Sequence, residues 1–204
     1  MINVDFKDKI VLITGGCSGA GVGIVDQFLK TGATILTTYN KTLPEDDRCK
    51  AYRYDQRDPD SIRKLVEDVI SDYGRIDVLV NNAGIYPARS LDKMSEEDYD
   101  AMFDTNTKGV FLLSKGFAKY MKNGSIINIS SINATNPASK LIHYGMSKAA
   151  IEMETKCLAY ELGPNIRVNC IAPGLIYKEG QEKFIPGWSE SYIERSALKR
   201  LVYP

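Results

Sequence analysis

Six short apolar runs, separated by segments of helical period, constrain this chain more than any other feature. They are Ile10–Thr14, Thr34–Tyr39, Ala51–Tyr54, Asp77–Asn81, Ser125–Ser130 and Ile166–Ile171. Each is bounded by polar or glycine residues, as buried strands are. Helical stretches lie near 19–30, 60–73, 96–121 and 143–162. In the third, Tyr99, Met102, Phe103, Val110, Phe111, Leu113, Phe117 and Met121 recur at helical spacing. This alternation predicts βαβ units, hence an α/β fold with a parallel sheet and helices on both faces. One connection departs from it: residues 40–50 are too short, and too broken by Pro44, for a crossover helix. The chain of 204 residues shows no repeat, low-complexity tract or linker, so a single domain is expected. That length buries a core without disulfides or metals.

Composition narrows the function classes. The 26 basic and 26 acidic residues cancel, so no net field selects nucleic acid or an anionic membrane. Cys17, Cys49, Cys157 and Cys170 form no CxxC pair, and His143 is the only histidine, so no metal site is expected. Unpaired thiols fit a reducing, cytoplasmic setting. Residues 1–9 lack a signal-peptide core, and no apolar stretch reaches the roughly 20 residues that span a bilayer.

The first strand ends in a glycine-rich turn, Thr14-Gly-Gly-Cys-Ser-Gly-Ala-Gly21, which opens the first helix. Glycine there permits positive φ and close backbone approach to a pyrophosphate. The helix N-terminus adds free N–H groups and the positive end of its dipole. A packing turn, or another nucleotide fold such as a methyltransferase, shares this signal. A Walker loop does not, because no Gly-Lys-Ser/Thr follows.

Further motifs make the pattern specific. Thr14-Gly-x-x-x-Gly19-x-Gly21, Asn81-Asn-Ala-Gly84, Asn106 in Asn106-Thr-Lys-Gly109, Ser131, Tyr144-x-x-x-Lys148 and Pro173-Gly174 follow one another with Ser131 13 residues before Tyr144. In order and spacing the chain resembles the short-chain dehydrogenase/reductase family over essentially its whole length, and its core motifs are similar to those of 3-oxoacyl-[acyl-carrier-protein] reductases. The resemblance implies a Rossmann-like, doubly wound sheet and hydride transfer between NAD(P)(H) and a carbonyl or alcohol. Independently of it, Gly15, the Asn81–Gly84 segment, Ser131 and Pro173-Gly174 each follow the C-terminal end of a predicted strand, where open α/β sheets bind ligands.

Tyr144 and Lys148 lie one turn apart on a predicted helix and share a face. Bringing a phenol from its usual pKa near 10 to about 7 takes roughly 4 kcal/mol, which an ammonium about 4 Å away supplies at an effective dielectric near 20. Tyr144 is therefore read as acid/base. The resemblance makes Lys148 its electrostatic partner and a ribose ligand, Ser131 the donor to the substrate oxygen, and Asn106 the residue that positions water for a relay to Lys148. His143 reads as a polar neighbour of Tyr144 or a substrate contact.

The expected cofactor contacts are Gly15, Cys17, Ser18, Gly19, Ala20 and Gly21 in the turn; Tyr39, Asn40 and Lys41 after the second strand; Asp55 and Gln56 after the third; Asn82, Ala83 and Gly84; Tyr144 and Lys148; and Pro173, Gly174 and Ile176. NAD-specific sites place a carboxylate at the end of the second strand. Tyr39 stands there, followed by Asn40 and Lys41, so NADP(H) is favoured over NAD(H), with Lys41 able to pair a 2′-phosphate. Ser18, where many NADP-dependent relatives carry a basic residue, argues the other way.

Residues 175–196 are expected to form a substrate lid, with Phe184, Ile185, Trp188 and Tyr192 as apolar contacts and Lys178 where the family often has threonine. The substrate is a small carbonyl or alcohol: a 3-oxoacyl thioester first, with a hydroxysteroid, sugar or other secondary alcohol as alternatives. A non-catalytic cofactor-binding regulator is the rival class. The resemblance also implies a homodimer, or a tetramer if the chain extends beyond Pro204, since the family has one more helix and strand after the Arg200–Pro204 region.

Overall fold

A computed structural model describes residues 5–44, 47–177, 190, 193–194 and 196–204. Six strands form one parallel sheet: β1 (Ile10–Ile13), β2 (Thr34–Tyr39), β3 (Lys50–Arg53), β4 (Val78–Asn81), β5 (Gly124–Ile129) and β6 (Ile166–Ile171). Their order is β3-β2-β1-β4-β5-β6. The winding reverses between β1 and β4, and the C-terminal ends of those strands carry the glycine-rich turn and the Asn81–Gly84 segment. The doubly wound single domain expected from the sequence is the one observed.

Strand alternation divides the core. Leu12, Leu36, Leu79 and Ile126 face α2 (Pro59–Tyr73) and α4 (Gly109–Ala118), packing on Leu65, Val69, Leu113 and Phe117. Val11, Ile13, Ile35 and Val80 face the other way, against Val25 and Phe28 of α1 (Ala20–Leu29). The long α5 (Ile142–Leu162) packs on β6 and reaches the first cluster through Leu158 and Leu162.

The expected single helix over 96–121 is interrupted. It comprises α3 (Glu96–Phe103), a π-turn (Asp104–Lys108) and α4. Ser95 and Asp98 cap α3 reciprocally. The wide turn inserts one residue into the helical period and so rotates the following face by about 100°. Met102, Val110, Leu113, Phe117 and Met121 are buried as expected, but Tyr99 and Phe111 of the same expected stripe face solvent.

Asp77 anchors the strands at the edge remote from these motifs. Its carboxylate accepts from Ile10 N at 2.9 Å, Arg75 Nε at 3.2 Å and Lys9 Nζ at 3.4 Å. Partial burial pushes its pKa up, but these donors outweigh burial and hold it below the usual value. A carboxyl lowered by folding stabilises above its unfolded pKa and loses that contribution as pH falls through the folded value. Asp77→Asn is expected to cost about 1 kcal/mol at pH 7. The difference in melting temperature between wild type and variant should shrink as the pH is lowered below 4.

Candidate active site

The glycine-rich turn is shaped by threonines. Thr37 Oγ1 accepts from Gly16 N at 3.0 Å and donates to Ile13 O at 3.1 Å, while Thr38 Oγ1 accepts from Gly15 N at 3.1 Å. Gly15 and Gly19 have φ of +64° and +53°. A Cβ at Gly21 would stand 2.3 Å from Gly15 O, so only glycine lets the helix approach the turn. Beyond the turn, the N–H groups of Cys17, Ser18, Gly19 and Ala20 have no acceptor among the described residues. Gly19 faces open space and caps α1 with no side-chain hydrogen bond. An uncapped helix start behind free N–H groups fits a pyrophosphate.

The Asn81–Gly84 segment is bolted to this turn. Thr14 Oγ1 accepts from Asn82 N at 3.1 Å and Ala83 N at 3.0 Å, and Asn82 Nδ2 donates to Thr14 O at 2.9 Å and Gly15 O at 3.2 Å. Asn81 Nδ2 donates to Asn128 Oδ1 at 2.8 Å, and Asn128 Nδ2 to Thr155 Oγ1 at 2.9 Å, a buried polar chain from β4 through β5 to α5. Asn106 extends the arrangement. Its Oδ1 accepts from Ile85 N at 2.9 Å, and its Nδ2 donates to Ile85 O at 2.8 Å and Ser147 Oγ at 3.2 Å. The side chain is thus spent on holding protein.

Ser131, Tyr144 and Lys148 converge beside Gly84. Ser131 lies past β5; its hydroxyl accepts from Asn133 N at 3.2 Å, donates to Asn133 Oδ1 at 3.3 Å, and faces the Tyr144 phenol as a polar partner. Lys148 Nζ lies 5.9 Å from the Tyr144 ring centroid and donates to Ile129 O at 2.7 Å. A Cβ at Gly84 would stand 3.7 Å from that ammonium. Burial pushes the Tyr144 phenol up, and the Ser131 bond opposes this. Burial also pushes Lys148 down to about 8. The expected lowering of Tyr144 by Lys148 is therefore not a property of the protein alone: desolvation prevails, and the ammonium is turned toward a backbone carbonyl.

Other expected site residues take different places. Gln56 is buried, its Nε2 donating to Ala83 O at 3.2 Å and Thr105 O at 2.6 Å, so its amide serves the backbone and not a ligand. Asp55 accepts from Arg57 N at 2.9 Å and bonds Asn40, which together hold its carboxyl below the usual range. Tyr39 is half-buried at the end of β2, while Asn40 and Lys41 are exposed. Cys17 is exposed in the turn, 3.7 Å from Thr37 Oγ1. Pro173 O accepts from Ile132 N at 3.0 Å, Gly174 is exposed beside it, and Ile176 bridges to Val202. His143 is wholly buried and neither ring nitrogen has a hydrogen-bond partner among the described residues; burial pushes its pKa down. It is a core residue, not a flanking polar one. Lys178, Phe184, Ile185, Trp188 and Tyr192 of the expected lid lie outside the described residues. Among the described residues no metal-binding cluster occurs, and no helix is long and apolar enough to cross a membrane.

The sequence profile of the short chain dehydrogenases matches residues 9–186. The chain belongs to the short-chain dehydrogenase family. It is similar to the 3-oxoacyl-[acyl-carrier-protein] reductase FabG of Thermotoga maritima, with 38% identity over 97% of this chain and 86% of that protein. It is 33% identical to a probable galactose dehydrogenase of Rhizobium meliloti, over 97% of this chain and 84% of the relative. Among solved structures it resembles a short chain dehydrogenase from Burkholderia cenocepacia in complex with NADP, with a TM-score of 0.86, 30% identity, and 97% and 86% of the two chains covered. The ligand-free aldohexose dehydrogenase of Thermoplasma acidophilum has a TM-score of 0.91 at 26% identity, over 97% and 83%. As a member of this family the chain is an NAD(P)-dependent oxidoreductase of alcohol and carbonyl groups.

Sequence reasoning missed three residues that hold this dehydrogenase's site in shape, Thr37, Thr38 and Ser147, and read Thr14 only as the start of the glycine motif. Hydroxyls inside the otherwise apolar second run, Thr34–Tyr39, were the available signal. A buried lysine whose pKa is lowered by folding penalises the native state fully below the folded value, and the penalty fades toward the unfolded one. The melting temperature of wild type relative to Lys148→Met should therefore rise between pH 8 and pH 10.5. A flat difference across that range would contradict a desolvated ammonium.

Proposed function

We propose that this enzyme reduces a carbonyl with NADPH, taking a 3-oxoacyl thioester as substrate, and that Tyr144 delivers the proton. The observation that carries the reading is the half-buried Tyr144 beside buried Ser131 and Lys148, with the side-chain-free wall at Gly84. A phenol raised by burial stays protonated at neutral pH, as a proton donor must. Ser131 holds the substrate oxygen against that phenol. Lys148, near 8, is poised to return a proton to Tyr144 after each turnover. Asn106 keeps the Ile85 backbone, and with it Gly84, clear of the reacting atoms. The cofactor, when bound, supplies the hydride. Cys17 to Gly21 would hold its pyrophosphate, Asp55 its adenine, and Asn82, Ala83, Gly84, Tyr144, Lys148, Pro173, Gly174 and Ile176 its nicotinamide half.

For NADPH, the support is the end of β2. Tyr39-Asn40-Lys41 contains no carboxylate, and exposed Lys41 has no partner among the described residues. Tighter binding of NADPH than NADH in a fluorescence titration is expected, and Tyr39→Asp should shift the preference toward NADH. Tighter NADH binding by wild type would overturn the assignment. A sugar substrate is the second reading, favoured by the likeness to galactose and aldohexose dehydrogenases. We also place the enzyme in the cytoplasm as a homodimer built on α4 and α5, where Phe111, Met146, Met153 and Tyr160 are exposed.

Turnover on acetoacetyl-CoA, cyclic ketones and aldoses with both cofactors tests the reading. Tyr144→Phe should lower kcat by about a hundredfold or more, with cofactor affinity largely unchanged, since only one hydrogen bond to the cofactor is lost. Retention of more than about a tenth of wild-type kcat would remove Tyr144 from its role.

A further inference from the structure

We propose that Gln56 is a positioning residue for Asn106, a role that rests on the reading of Asn106 and Lys148 given above. The sequence placed Gln56 among the cofactor contacts, but its geometry points inward. In the π-turn, Gly109 N donates to Asp104 O and so passes over Thr105 O, its partner in a regular α-helix. A buried carbonyl left without a donor is costly. Gln56 Nε2 supplies the donor at 2.6 Å. The same nitrogen donates to Ala83 O at 3.2 Å. Both neighbours are acceptors, so the amide nitrogen must face them.

Two rungs thus join the loop after β4 to the π-turn. Gln56 links residues 83 and 105, and Asn106 links residues 85 and 106. Gly109 is part of the device: a Cβ there would lie 2.3 Å from Gln56 O, so only glycine lets residue 56 come this close. The result reaches the site directly. A Cβ at Gly84, between the rungs, would stand 3.1 Å from Asn106 Oδ1 and 3.7 Å from Lys148 Nζ. Without its donor, Thr105 O would recapture the Gly109 N–H, the π-turn would relax toward a regular helix, and Asn106 would rotate off Ile85.

Gln56→Met keeps the shape and removes the donor. By amide exchange, the Ile85 N–H, which Asn106 Oδ1 accepts, should exchange about tenfold faster in this variant, with Leu79 unchanged; this arm needs no substrate. With NADPH and the compound that wild type turns over, kcat should fall about tenfold, the order of one buried hydrogen bond, with the dissociation constant of NADPH within about threefold. The double variant with Asn106→Ala should be no slower than Asn106→Ala alone. In Gln56→Glu, activity relative to wild type should recover as pH falls, because a protonated carboxyl again donates; a packing role leaves that ratio flat. Unchanged Ile85 exchange, additive losses, or weaker NADPH binding at unchanged kcat would each overturn the proposal. If Asn106→Ala itself leaves kcat intact, the catalytic reading of Asn106 fails, and Ile85 exchange still decides whether Gln56 positions it.

Discussion

The pair of hydrogen bonds between the Asn106 amide and the Ile85 backbone is the constraint on which the rest of the site depends. One side chain does there what a neighbouring strand would do, satisfying both the N–H and the C=O of a residue beyond the sheet. The chain leaving β4 is therefore held in place beyond the C-terminal end of the sheet. It carries Gly84 to the Lys148 ammonium and Tyr86 to a ring-centroid distance of 6.2 Å from Tyr144. The second Asn106 donor contact, to Ser147, ties the same loop to the helix that presents Tyr144 and Lys148. A helix of uniform period would not aim an asparagine this way, which gives the interruption between α3 and α4 a purpose.

Burial sets the protonation states. Taking a phenol and an ammonium out of water favours the neutral form of each, so Tyr144 rises above its usual value while Lys148 falls to about 8, and their titrations move apart. The phenol then holds its proton where the lysine gives one up, so a proton passes downhill from Lys148 to a Tyr144 phenolate. The Ile129 carbonyl keeps Lys148 in place in either state, and Ser131 opposes the desolvation of Tyr144 with a hydrogen bond. The site is thus prepared by the protein for proton donation, while proton abstraction from an alcohol requires further positive charge near the phenol.

The sheet was legible in the sequence because a buried parallel strand has no polar face: all six runs became strands, shifted by at most a residue or so at their ends. The reversal between β1 and β4 was legible through its motifs, because glycines and asparagines at strand ends have few other uses. The break at residues 104–108 was not. One inserted residue turns the following face by about 100°, but apolar residues are dense enough on both sides of it that the stripe still reads as one helix, although Tyr99 and Phe111 are exposed. His143 and Gln56 were misplaced for a common reason. A polar residue beside a motif suggests solvent or ligand, whereas tertiary packing left one without a hydrogen-bond partner among the described residues and gave the other two backbone carbonyls. Most of the expected lid, residues 178–189 among them, lies outside the described residues.

Family membership establishes hydride chemistry, and the site proposed for it lies at the strand ends where the winding reverses. The central claim is that the free N–H groups after Gly16 and the Gly84–Tyr144–Lys148 corner are the two ends of one dinucleotide site. A crystal structure of the enzyme with NADP tests this most directly. The expected result is density running from the Gly19 turn past Asn82 to the corner, with Tyr144 Oη and Lys148 Nζ both hydrogen-bonded to the nicotinamide half at about 3 Å. A cofactor whose nicotinamide half lies away from Tyr144 and Lys148, with the corner filled only by solvent, would contradict the account.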